Sequence, residues 1–313
     1  MTIFLTLSVW HCIICKTFMP TIKKLLSCAH GLDRREALLL LAHVLGVSES
    51  YIAVHTEEKP GADKINRFMR LVMRRRKNEP IAYLVGYQPF LNQNFKVNRT
   101  TLIPRPETEL LTEKIIADMK REVKRGKKSV VVDIGTGSGC IACSIKKTLP
   151  EAEVMASDSS PAALSVVKYN ANKLSTGVEV IHSDLFDKKL SARVVKKIRI
   201  KEGTVLFVAA NLPYLPFSDL AAMQKDVINY EPKNALFADD DGMELIKKCI
   251  QQLKKFLTPY SASGLGWYLY FEIDPRQVNE LKKFAKKNLQ DSKIKFEKDL
   301  CGRIRFMTAV KRV

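Results

Sequence analysis

From about residue 20 to 85 the apolar positions recur at intervals of three and four, the spacing of a single helix face. The stretch DRREALLLLAHVLGV predicts a helix that opens on Asp33 as N-cap and closes at Gly46. ADKINRFMRLVMRRRKN predicts another, with Ile65, Phe68, Met69, Val72 and Met73 on one stripe and Arg70, Arg74, Arg75, Arg76 and Lys77 mostly off it. No strand pattern interrupts this region, so residues 19–86 read as a small helical domain. Pro80 and Gly86 then punctuate the chain. Residues 87–103, YQPFLNQNFKVNRTTLI, show the alternation and turn residues of a β-hairpin linker. From 104 to 313 short apolar runs alternate with helical segments, the mark of a parallel α/β sheet. SVVVDIGTGSG, VEVIHSDLF, TVLFVAANLPY and GWYLYFEID each end in polar or glycine-rich residues at the carboxyl end of a predicted strand. In open α/β sheets that edge binds ligands.

Composition changes this picture little, because 46% hydrophobic and 27% charged residues with 14 Gly and 13 Pro are ordinary for a globular chain. Collagen-like, low-complexity and wholly disordered classes are excluded. The net charge of +19 in 313 residues is a stronger signal. It fits either a polyanionic partner or lysines that merely solvate helix faces. Seven cysteines at 12, 15, 28, 140, 143, 249 and 301 form no framework and read as reduced thiols. The pairs Cys12/Cys15 and Cys140/Cys143 lack the further ligands a zinc site needs, so no metal is expected. The first fifteen residues carry no Lys, Arg, Asp or Glu, yet they lack a basic start and a cleavage site. They also fall short of the ~20 residues that span a bilayer. Residues 1–18 are therefore an apolar extension, either upstream of a true start at Met19 or a weak anchor, and the rest of the chain is expected to be soluble.

The sharpest motif follows Val130: Asp133-Ile134-Gly135-Thr136-Gly137-Ser138-Gly139, leading into a helix at Cys140. Its glycines permit a tight turn and a close ligand approach. The spacing is neither that of dinucleotide folds nor that of a P-loop. Asp158 closes the next strand 25 residues after Asp133, where a carboxylate can accept both ribose hydroxyls. Asp184, after a third strand, is placed to take an exocyclic amine, with Leu185 or Phe186 packing on an adenine ring. Three carboxylates in register with the strands make a nucleoside pocket.

This arrangement resembles the class I S-adenosylmethionine-dependent methyltransferases. The resemblance implies a Rossmann-like sheet and a methyl donor bound by Gly135, Thr136, Gly137, Ser138, Gly139, Asp158, Asp184, Leu185 and Asn211. Asn211-Leu212-Pro213-Tyr214 resembles the [Asn/Asp]-Pro-Pro-[Tyr/Phe] signature of enzymes that methylate planar nitrogen, either glutamine amides or exocyclic base amines. The lone pair of such a nitrogen is delocalised, so a site must fix its orientation. The Asn211 side-chain oxygen and the Leu212 carbonyl can accept its two N–H groups, and Tyr214 can stack on the planar group. Asn211, Pro213 and Tyr214 are the catalytic candidates, with Leu212 joining them in substrate binding. No general base is required.

Further stretches are similar to one family, the peptide chain release factor N(5)-glutamine methyltransferases, PrmC or HemK. They are Glu79 to Gly86, Leu102-Ile103-Pro104-Arg105-Pro106-Glu107-Thr108-Glu109, Tyr230-Glu231-Pro232 with Asp241-Gly242-Met243, and Asp299 to Arg303. The resemblance implies methylation of the glutamine in the Gly-Gly-Gln loop of class I release factors. The helical domain would hold that partner, and its basic helix would suit the role. A cytoplasmic monomer is expected, or an organellar one if the source is eukaryotic, with direct nucleic acid binding not required. Three departures stand out. Leu212 replaces the usual first proline, and Asn-Leu-Pro-Tyr also resembles rRNA adenine dimethyltransferases, which keeps an exocyclic-amine methyltransferase on RNA or DNA as the alternative. Residues 188–201 look like a basic insertion. Glu272-Ile273-Asp274 with Gln277 stands where the family has Glu-x-Gly before Gln, so Glu272 is a structural candidate only and Asp274 receives no role.

Overall fold

The computed structural model describes residues 19–198, 203–239, 241–262 and 264–312. The apolar extension 1–18, with Cys12 and Cys15, lies outside the described residues, and the basic insertion is described only as far as Ile198. Two compact units emerge. One comprises the chain up to Gly86 together with Lys225–Tyr230; the other comprises Tyr87–Gln224 and Glu231–Val313.

The first unit is helical: α1 (Ile22–Cys28), α2 (Arg34–Leu45), α3 (Glu49–Val54), α4 (Ala62–Arg76) and α5 (Ile81–Val85). Asp33 caps α2, accepting from the Arg35 N–H at 2.8 Å, and Gly46 closes it in the left-handed conformation. In α4 the buried residues are Ile65, Phe68, Met69, Leu71 and Val72, while Met73 is exposed. The buried arc is centred near Phe68 and Val72, which turns Leu71 inward and Met73 outward, a shift from the expected stripe. The basic residues of α4 are largely committed within this unit. Arg74 pairs with the buried Glu79 at 2.7 Å, Arg75 pairs with Glu36 at 2.7 Å, and Arg76 donates to the His30 carbonyl at 2.8 Å.

The second unit opens with a two-stranded antiparallel hairpin, β1 (Tyr87–Phe90) and β2 (Gln93–Lys96), joined through Leu91 and Asn92. Helix α6 (Pro106–Lys124) follows. A seven-stranded sheet then forms in the order β5-β4-β3-β6-β7-β9-β8. Its strands are β3 (Lys128–Ile134), β4 (Glu153–Asp158), β5 (Glu179–His182), β6 (Thr204–Ala210), β7 (Gly266–Glu272), β8 (Lys293–Lys298) and β9 (Ile304–Lys311). The first five in that order run parallel, and β9 is antiparallel to both β7 and β8.

Burial explains the unbroken apolar runs, because β6 and β7 are buried along their whole length. Alternate side chains feed two cores. Val130, Val132, Leu206, Val208, Leu269 and Phe271 join one, and Val131, Phe207, Ala209, Tyr268 and Tyr270 join the other. The chain winds outward from β3 through β4 to β5, then crosses back to β6 on the other side of β3. That reversal leaves a crevice outside the carboxyl ends of β3 and β6, the switch point at which open α/β sheets bind ligands.

Candidate active site

The turn after β3 forms the floor of the crevice. Gly135 has φ +66°, a conformation strained for any other residue, and a Cβ there would lie 2.9 Å from the end of the Leu212 side chain and displace it. A Cβ on Gly137 would meet nothing within 4 Å, because it faces the cleft. The Asp158 carboxylate is held in place by the Gly137 N–H at 3.0 Å and the Ser160 N–H at 2.9 Å. Each of its oxygens keeps a lone pair for a ligand. Asp133 lies beneath, fully buried, accepting from the Thr136 hydroxyl and the Ala142 N–H, with Oδ1 lacking any protein partner. Burial pushes its carboxyl up to about 7, and the neighbouring Asp158 charge adds to the effect.

The cleft is lined by Gly135, Thr136, Gly137, Ser138, Asp158, Asp184, Leu185, Asn211, Leu212 and Pro213, so the structure brings together most of the residues singled out in the sequence. Two of them stand back. Gly139 caps α7 (Cys140–Thr148) against Val167, and Tyr214 is tucked toward the core. Leu185 reaches the cleft, whereas Phe186 is buried and packs edge-on against Phe256 at 4.9 Å, which removes it as a ring platform. The Asp184 carboxylate is exposed at the rim and paired with Lys248 at 2.7 Å.

The segment 100–108 contributes Thr100, Thr101, Leu102, Pro104, Arg105 and Thr108 to the lining. Glu231 fixes it there: its buried carboxylate accepts from the Ile103 N–H at 3.1 Å and from Arg105 at 2.5 Å. Two stretches that carried the family resemblance are thus joined in space.

The residues after β6 are held by groups that sequence reading left without a role. Asn211 donates its side-chain NH2 to the Thr108 hydroxyl at 3.0 Å. Thr108 donates to Glu272 Oε2 at 2.9 Å, and Tyr214 donates to Glu272 Oε1 at 2.9 Å. Glu272 is placed by register, since β7 pairs Phe271 with Ala210 and so sets the next residue of each strand side by side. Asp274, with no role in the sequence reading, caps the short helix Pro275–Gln277 and chelates Arg276. Gln277 ties the turns together, donating to the carbonyls of Tyr214 at 2.8 Å and Asp241 at 3.1 Å. At Gly242, φ +70°, a Cβ would collide with the Tyr214 carbonyl. With Asp274 in place of the glycine, Glu272 still accepts from Tyr214 and Gln277 still accepts from the Asp274 N–H.

Among the described residues no group of three or more His, Cys, Asp or Glu side chains is arranged to hold a metal ion, and no helix is long and apolar enough to cross a membrane. Cys28, Cys140, Cys143 and Cys249 are buried free thiols and Cys301 an exposed one.

Comparison with known proteins places the chain in a family. The PrmC N-terminal domain family matches residues 21–86, and the methyltransferase small domain family matches residues 107–195. A release factor glutamine methyltransferase of Rhodopirellula baltica is 32% identical over 280 residues, covering 89% of this chain and 89% of that protein. Another, of Leptospira interrogans, is 35% identical over 278 residues, covering 88% and 90%. A bifunctional methyltransferase of Rickettsia conorii is 33% identical over 246 residues, 72% of this chain but 45% of its own length, so the chain spans less than half of that protein. Among solved structures, the hMettl16 catalytic domain in complex with MAT2A 3′UTR hairpin 1 has a TM-score of 0.51 at 14% identity, covering 87% of this chain and 91% of that one. That likeness concerns the fold alone.

Proposed function

This chain belongs to the release factor glutamine methyltransferase family, and from that membership we propose that it methylates the side-chain amide nitrogen of the glutamine in the Gly-Gly-Gln loop of a peptide chain release factor. The observation that carries the reading is the Asn211 amide at the cleft, its NH2 bound to Thr108 and its oxygen left for an incoming N–H.

S-adenosylmethionine, when bound, supplies an electrophilic methyl group on a sulfonium that is a good leaving group. The cleft suits it. Gly137 leaves room for the methionine portion, the fixed Asp158 carboxylate has lone pairs for ribose hydroxyls, and Leu185 offers an apolar face to the adenine. The rim position and ion pair of Asp184 leave it a weaker candidate for the exocyclic amine.

A glutamine amide nitrogen is a poor nucleophile, so its orientation governs the rate. The Asn211 oxygen accepts one N–H and the Leu212 carbonyl accepts the other, which aims the nitrogen face at the methyl group. Replacing the usual proline by leucine at 212 leaves this carbonyl in place, and Gly135 packs directly against the Leu212 side chain. Pro213 stiffens the turn that carries both acceptors. After transfer the amide is cationic and gives up its proton to water, so no side chain acts as a general base.

Recognition of the release factor is assigned to the helical unit, 19–86. With Arg74, Arg75 and Arg76 engaged internally, the exposed side chains of Arg70 and Lys77 are its basic contacts.

The test is incubation with methyl-labelled S-adenosylmethionine and, in separate arms, a release factor, the same factor with its Gly-Gly-Gln glutamine replaced, and ribosomal RNA. Label on the intact release factor alone supports the reading. Methyladenine in the RNA arm would replace it with the exocyclic-amine alternative.

A further inference from the structure

We propose that Thr108 and Glu272 are positioning residues that set which end of the Asn211 amide faces the substrate. The inference rests on the reading of Asn211 as the acceptor for the substrate N–H.

An amide side chain has two nearly isosteric orientations, one presenting an acceptor and the other a donor. A substrate nitrogen bearing N–H groups is served only by the first. Thr108 decides between them. Its hydroxyl lies 2.9 Å from Glu272 Oε2 and 3.0 Å from the Asn211 NH2, and it owns a single proton. While Glu272 is ionised it has no proton to give, and its other oxygen already accepts from Tyr214 at 2.9 Å. In that state Thr108 must donate to Glu272, and its two lone pairs can only accept. The Asn211 NH2 satisfies one of them. The flipped amide would set two oxygens face to face at that distance with no proton between them.

The relay is rigid. Thr108 and Glu272 are each 2% exposed, so the bond between them is largely shielded from water. Thr108 sits in the first turn of α6, its N–H bonded to the Arg105 carbonyl, and Glu272 ends the fully buried β7. The polarity of a side chain at the cleft is thus set from residue 272 through a hydroxyl at residue 108.

The chain also has a pH signature. Around Glu272 stand Tyr214, Thr108 and Glu107 of α6, and Arg305 of β9. Burial lifts its carboxyl above the ordinary range, while bonds from Thr108 and Tyr214 and the Arg305 charge oppose the lift. On protonation Glu272 no longer requires the Thr108 proton, and the amide orientation relaxes. Turnover should fall on the acid side while cofactor affinity holds.

The experiment compares Thr108→Val, which keeps the shape and loses the acceptor, with Thr108→Ser, which keeps the hydroxyl, each in the Asn211 and Asn211→Asp backgrounds. A carboxylate presents oxygen in either orientation. Thr108→Val should therefore lower kcat by about tenfold or more beside Asn211, with KM and S-adenosylmethionine affinity little changed. Beside Asn211→Asp it should cost little or nothing, and Thr108→Ser should stay near wild type. Should Thr108→Val not fold, Thr108→Ala carries the same comparison.

A second readout does not need turnover. The Asn211 side-chain NH2 resonance, assigned by its loss in Asn211→Asp, should be protected from exchange in wild type and Thr108→Ser and unprotected in Thr108→Val. Equal kinetic losses in both backgrounds, or equal exchange in all three proteins, would overturn the proposal. Wild-type methylation of glutamine is measured alongside. If it occurs without this coupling, only the relay falls; if it does not occur, the functional reading falls first.

Discussion

The Gln277 side chain donates to the Tyr214 carbonyl at 2.8 Å, bridging 63 positions of sequence, and the same NH2 also reaches the Asp241 carbonyl. Its oxygen accepts from the Asp274 N–H at 3.1 Å. One buried amide thus fixes the turn carrying Leu212 and Pro213 against the turn carrying Gly242. Replacing the donor by an acceptor, Gln277→Glu, would set a carboxylate against two carbonyls. Leaving these part-buried carbonyls and the inserted carboxylate without a donor costs about 1–3 kcal/mol. Gly242→Ala should destabilise by a similar amount, about 1–3 kcal/mol, through forced backbone strain. Denaturant melts measure both, and wild-type stability in either variant would contradict the packing described.

Cofactor affinity depends on Asp158. Asp158→Ala removes a carboxylate fixed by two backbone N–H groups, and bonds to a charged group contribute roughly 1.5–3 kcal/mol. Calorimetry should show S-adenosylmethionine binding weakened by about tenfold or more. Gly137→Val, whose side chain would enter the cleft, should also weaken binding. Unchanged affinity in both variants would remove the pocket assignment.

The α4 arginines separate stability from recognition. Arg74→Glu leaves the buried Glu79 facing a like charge and should destabilise the helical unit by about 1–3 kcal/mol. Arg70→Glu, at an exposed position, should leave the melting temperature alone while raising KM for the release factor and slowing association. Steady-state kinetics at low salt provide the check. An unchanged KM for Arg70→Glu would make this face simply solvated.

The pH dependence of stability carries a signature of Asp133. Its folded carboxyl is raised to about 7, above its unfolded value, so the folded state binds this proton more tightly. The associated stabilisation is fully present below the unfolded value and is lost as pH rises through about 7. Between about pH 4 and 7 the wild type should lose stability relative to Asp133→Asn, whose side chain does not titrate. Parallel melting curves for the two proteins across that range would show that Asp133 is not raised.

Local features were legible in the sequence because they depend on neighbours within a turn or two. The Asp33 cap, the Gly46 stop, the hairpin after Gly86 and the glycine turn of 135–139 follow from backbone preferences, and Asn211 and Asp158 stood out as polar ends of buried runs. Asp133 headed the motif, but nothing local indicated how burial would shift its carboxyl. Thr108, Glu272 and Gln277 act on Asn211 and Tyr214 from 58 to 103 positions away. Periodicity carries no information about such pairs, and here strand register and the first turn of α6 create them. The α4 arginines mark the reverse case: spacing located them off the apolar stripe, but Glu79, Glu36 and the His30 carbonyl, which engage three of them, became visible only in the folded unit.

The most direct measurement of the central claim is the single-turnover rate of methyl transfer to a release factor by Asn211→Ala, with the product mapped by mass spectrometry. If the Asn211 oxygen orients the glutamine amide, the rate should fall on the order of a hundredfold or more while S-adenosylmethionine affinity stays within a few fold, and the wild-type product should be methylglutamine in the Gly-Gly-Gln loop. A wild-type rate for Asn211→Ala, or a wild-type product on any group other than that amide, would contradict it.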